Sequence, residues 1–60
     1  MREVTLEPGQ IWHDGDRRIE ILEVLNLQVL ARFPDGDFWV MKSRFAYYKF
    51  VGSNRLLAAA

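Results

Sequence analysis

Any catalysis in this sixty-residue chain would have to come from a very small inventory. It holds one histidine, His13, no cysteine, and three serine or threonine residues, Thr5, Ser43 and Ser53. His13 stands beside Asp14, which could orient it as a base, and Ser43 is the only nucleophile near the middle of the chain. A nucleophile needs its base within hydrogen-bond reach. Nothing in the spacing pairs Ser43 with His13, so His13 reads as a strand-end residue at a turn and no catalytic residue is assigned. Without cysteine there is no thiolate for zinc and no disulfide. Asp14, Asp16, Asp35 and Asp37 could offer oxygens to a hard cation if their two loops met. However, Asp-Gly-Asp lacks the ligand spacing of a calcium loop, and turn chemistry alone accounts for it. The glycines are isolated, so no phosphate-cradling loop is present. No metal and no cofactor are expected.

Two other groupings could bind. From Trp39 to Arg55 bases interleave with aromatic rings and no acid intervenes. Cations on phosphates and rings stacked on bases are how single-stranded nucleic acid is held. The candidate partner-binding residues are Trp39, Lys42, Arg44, Tyr47 and Lys49. A small domain also needs rings inside, so about half of the aromatics in this stretch are expected in the core. The opposing candidate is an acidic patch of Asp14, Asp16, Glu20, Asp35 and Asp37, which also reads as a solvated rim. Net charge is zero, but residues 1–40 hold all eight acids and four bases, while residues 41–60 hold four bases and no acid. The chain is thus a charge dipole along its sequence.

The elements that must position these residues follow from periodicity and punctuation. Over Ile19 to Phe33 a helical wheel spreads the polar positions over about 240° and leaves no apolar stripe. Alternation fits better. It breaks near Leu22–Glu23, which predicts a bulge, and at Leu25–Asn26–Leu27, which predicts a turn. Asp14-Gly15-Asp16 and Asp35-Gly36-Asp37 are turn signals, and Pro34 would break a helix. They read as two similar hairpins, 21 residues apart. The strands are expected at Gln10–His13, Arg17 to Leu25, Leu27 to Phe33, Asp37–Met41 and Tyr47–Val51, with a 3₁₀ turn over Lys42–Phe45. Five short strands at this spacing suit an all-β small barrel, which also hides its edges. Residues 1–7 form an arm, 8–52 the barrel and 53–60 a tail. The tail reads as a short helix or a disordered end whose alanines are in part a vector remnant. Ile11, Ile19, Ile21, Val29, Ala31, Phe33 and Val40 are the expected core. On parity alone, either Phe38 and Val40 or Trp39 and Met41 face inward.

Gly9-Gln10-Ile11-Trp12, Arg17 to Ile21, Val29 to Phe33 with its Asp-Gly-Asp turn, and Phe38 to Phe45 together resemble an SH3-like small barrel of the KOW and Tudor type. The resemblance spans residues 8–52, on motifs that are individually common. It implies five strands with a 3₁₀ turn before the last. The stretch from Arg32 through Phe45 to Val51 is also similar to small proteins of phages and prophages. That similarity implies a modulator of a host protein complex, working in the host cytoplasm. Trp12 with the Asp14/Asp16 loop only partly matches the groove of peptide-binding SH3 domains. A methyl-lysine cage is absent, so neither ligand carries over.

The expectation is a non-catalytic binding module, with a protein partner as the leading reading. A nucleic-acid-binding barrel using residues 39–55 and a self-associating homo-oligomer are the rivals. Met1 to Gly9 has no apolar run of the signal-peptide kind. Val24 to Ala31 falls short of the roughly 20 residues of a spanning helix. The expected setting is therefore cytoplasmic, without membrane contact.

Overall fold

The computed structural model describes residues 5–53. Alternating apolar residues and tight turns make a meander of antiparallel strands: β1 (Gln10–Asp14), β2 (Arg17–Val24), β3 (Gln28–Phe33) and β4 (Gly36–Met41). A 3₁₀ segment, η1 (Lys42–Tyr47), leads to β5 (Lys49–Ser53), which pairs back onto β1. The result is one five-stranded sheet in the order β4-β3-β2-β1-β5. The tail residues 54–60, and residues 1–4 of the arm, lie outside the described residues.

The two Asp-Gly-Asp hairpins are built differently. Between β1 and β2 the loop is Gly15-Asp16, with Gly15 at φ +65° and no positive φ at Asp16. Positive φ at the first loop residue alone is the II′ pattern, which matches strand twist. Between β3 and β4 the loop is Pro34-Asp35, and Gly36 re-enters the strand opposite Phe33 at φ +140°.

The parity break in β2 is a bulge. The register with β3 slips between Ile21 and Glu23, leaving Leu22 as the extra residue, so Ile19, Ile21 and Val24 can all serve one face. A second irregularity lies between β1 and β5 at Ile11/Trp12. A flat sheet would separate β4 from β5 by about 19 Å, four strand spacings. Yet Phe45 of η1, the segment that leaves β4, meets Trp12 of β1, three strands away, at 5.2 Å. The sheet therefore curls. It does not close: β4 and β5 are its two edges, with no pairing between them.

The core lies on the concave face. Trp12, Ile19, Ile21, Val29, Ala31, Phe33 and Phe45 form it, with Leu6, Val24, Val40 and Tyr48 packed around. Two corrections to the expected core follow. Trp12 and Phe45 are buried members, because η1 folds the Phe45 ring onto Trp12 at 5.2 Å in an edge-to-face contact. Val40 is only half-buried, because β4 is an edge. Ile11 is buried but lies outside this cluster. The arm also does more than lead in. Leu6 packs on the core, and the buried Gln10 side chain donates to the Thr5 carbonyl at 2.7 Å. The same Gln10 accepts from the Trp12 indole N–H at 3.1 Å, so both polar ends of that buried amide are satisfied.

Candidate functional site

β4 decides the surface. Phe38 stands opposite Ala31 and Val40 opposite Val29, both core residues, so Phe38 and Val40 share the core face. Trp39 and Met41 therefore take the outer face, and each is about half exposed, at 47% and 46%. Phe38 is equally exposed although it faces inward, because the sheet opens at this edge.

The basic-aromatic stretch is divided by the fold. Phe45 is core, Tyr48 packs on it at 5.0 Å, and Phe50 packs on Trp12 at 5.3 Å. Tyr47 is 85% exposed at the end of η1, and Lys49 lies beside His13 on the far edge. Arg44 lines a shallow cleft of about 210 Å³ with Arg17, Phe33, Asp35, Phe38 and Tyr48, where β4 and η1 part. Thus Trp39, Lys42 and Arg44 stay on the β4 side, whereas Lys49 does not join them. Lys42, Arg44 and Lys49 make no ion pair among the described residues.

The acidic candidates are largely countered locally. Asp14 accepts from Arg17 at 2.6 Å and Asp37 from Arg32 at 3.2 Å, while Glu20 sits 3.8 Å from Arg18. Arg17 lies over the Phe33 ring at 5.3 Å. Its pKa is raised above the ordinary arginine value, first by the Asp14 hydrogen bond and then, against desolvation, by the fields of Asp14, Asp35 and Tyr48. Asp16 and Asp35 make no direct ion pair among the described residues.

An apolar hollow of about 400 Å³ adjoins Met41, lined by Leu25, Asn26, Leu27 and Gln28 of the β2–β3 turn. Leu25 is 49% and Leu27 66% exposed. Sequence reasoning treated these leucines as a break in parity and missed them as surface. The available signal was chemical: two leucines flank a turn asparagine where polar residues are usual.

His13 and Ser43 share no hydrogen bond, and no three His, Asp or Glu side chains gather as metal ligands among the described residues. No helix among them is long and apolar enough to cross a membrane. No protein-family model, curated protein or solved structure matches the chain at a significant level.

Proposed function

We propose that this chain is a non-catalytic protein-binding domain, its curled sheet an SH3-like small barrel, and that it engages its partner along the β4 side. One observation carries the reading: Trp39, Met41, Leu25 and Leu27 are each about half or more exposed on this side of the molecule. Full burial of such a side chain is worth about 1.5–3 kcal/mol. A domain of this size has a total stability of only about 3–9 kcal/mol. Leaving four of them in water is costly for so small a core, and exposed apolar patches mark interaction sites. Lys42 and Arg44 follow the strand in η1, without an ion pair among the described residues, and favour a partner that offers carboxylates.

The nucleic-acid alternative needs rings and cations along one groove. Here Phe45 is buried, Phe50 packs on Trp12 and Lys49 lies on the other edge, while the cleft that gathers Arg17 and Arg44 with rings also holds Asp35. The deciding experiment is affinity capture from lysate with and without nuclease, using the wild type, Trp39→Ala and Leu27→Ser. Proteins retained by the wild type, lost with either variant and indifferent to nuclease support the reading. Retention that survives both substitutions, or vanishes with nuclease, overturns it.

A further inference from the structure

β4 is an edge strand with little of the usual protection: Asp37 is its one charged residue. Its register with β3 runs unbroken from Phe33↔Gly36 to Gln28↔Met41, and it contains no lysine, proline or bulge. Natural edges are blunted by such devices. The opposite edge, β5, has them: Lys49, a register slip against β1, and Gly52.

The direction of the free backbone groups on β4 can be derived. Lys42 N–H donates to the Leu27 carbonyl at 3.0 Å, which extends the same register by one step. Hydrogen-bonded pairs alternate along an antiparallel ladder. Val40, Phe38 and Gly36 therefore bond to β3, and Asp37, Trp39 and Met41 direct their N–H and C=O groups outward.

We infer that the partner of this edge is a second copy of the chain, joined β4 to β4 antiparallel about a two-fold axis at Trp39. This identification rests on the β4 side being a protein-binding surface. In that register Trp39 meets Trp39 of the second copy and Asp37 meets its Met41. All three outward-facing residues then fall in hydrogen-bonded pairs, giving roughly six backbone bonds. The two exposed indoles lie at the centre of the contact, where tryptophan is most effective.

Charge chooses a second copy over an unrelated peptide. Acids stand at the start of the edge, Asp35 and Asp37, and bases just past its end, Lys42 and Arg44. The pattern acid, apolar, base is its own complement when reversed. A two-fold axis sets the acidic end of each copy alongside the basic end of the other, twice. Asp37 accepts from Arg32 through Oδ1, which leaves Oδ2 outside that ion pair.

Sedimentation of the purified full chain across about a hundredfold dilution tests this. The wild type passes from 7.0 kDa at the dilute end to twice that mass at the concentrated end. Trp39→Lys, which sets like charges opposite each other, weakens the dimer by roughly tenfold or more. Val51→Ser, on the exposed face of the other edge, leaves it unchanged. The strongest arm mixes two charge variants. Lys42→Glu/Arg44→Glu makes both ends of the edge acidic, and Asp35→Lys/Asp37→Lys makes both basic. Neither dimerises alone, and together they form a heterodimer. Circular dichroism confirms that each variant is folded.

A wild type monomeric at every concentration overturns the inference. So does a dimer indifferent to Trp39→Lys, or a mixture of folded charge variants that stays monomeric. A monomer that still captures another protein through Trp39 would refute self-pairing alone and point to an extended segment of that protein. A dimer with no captured protein would leave self-pairing standing and remove only the foreign partner.

Discussion

Phe45→Ala separates core from surface within the aromatic stretch. Phe45 is the buried side chain that η1 supplies, 5% exposed and in contact with Trp12 and Tyr48. Its ring brings the segment that follows β4 onto Trp12 of β1, within the core cluster. Truncating a buried phenylalanine costs about 3–5 kcal/mol through lost burial and the cavity left behind. The domain has only about 3–9 kcal/mol in total. The variant should therefore lose about a third or more of its stability and melt at least roughly 12 °C lower. Urea titration followed by tryptophan emission is the assay, since Trp12 lies against the missing ring. The midpoint should fall with the slope little changed, because a similar surface is still exposed on unfolding. Trp39→Ala is the comparator: on the outer face of an edge strand, it should cost about 1 kcal/mol or less. If Phe45→Ala stays within about 1 kcal/mol of the wild type, η1 does not complete the core and the packing argument fails.

Gln10→Ala should cost about 1–3 kcal/mol, because it orphans the buried Trp12 N–H and frees the Thr5 carbonyl. Hydrogen exchange at the amides of residues 9 and 10, which donate to the Ile21 and Glu7 carbonyls, should quicken with it, and unchanged exchange would deny that the arm is tied down there. Gly36→Ala should destabilise by about 1–3 kcal/mol, since φ +140° suits only glycine and the new Cβ would lie 3.4 Å from Phe38. Gly52→Ala, with ordinary φ and open space, should be neutral or gain up to about 1 kcal/mol, so equal melting losses for the two would contradict the backbone assignment. In single-tryptophan variants, acrylamide should quench Trp39 strongly and Trp12 weakly, 47% against 6% exposed. Equal quenching would put Trp39 inside.

Much of the fold was legible because two rules act locally. Alternation identifies Ile19, Ile21, Val29 and Ala31 as one face, and all four are fully buried. The place where alternation fails, Leu22, is where the register slips. The 3₁₀ segment after Met41 was also legible, although it runs to Tyr47 and moves the start of β5 to Lys49. The two turns were recognised by position but not by type: proline takes a loop position in the second, so its glycine falls in the strand. The candidate site was less legible. Trp39 was singled out, but Leu25 and Leu27, which line a hollow with Met41, were not, because a turn residue's neighbours are set by the opposite strand.

The sequence by itself determined strands, turns, bulge and most of the buried face, since each depends on residues a few positions apart. Only the tertiary structure decided which side of β4 faces in, because Phe38 with Val40 and Trp39 with Met41 are both apolar pairs and parity cannot choose. The same holds for Trp12 and Phe45, 33 residues apart in sequence, whose contact exists only because the sheet curls. Charge segregation along the chain was plain from the residues. Which of those charges are countered was not, until the fold set Arg17 against Asp14 and Arg32 against Asp37 and left Lys42 and Arg44 without an ion pair among the described residues.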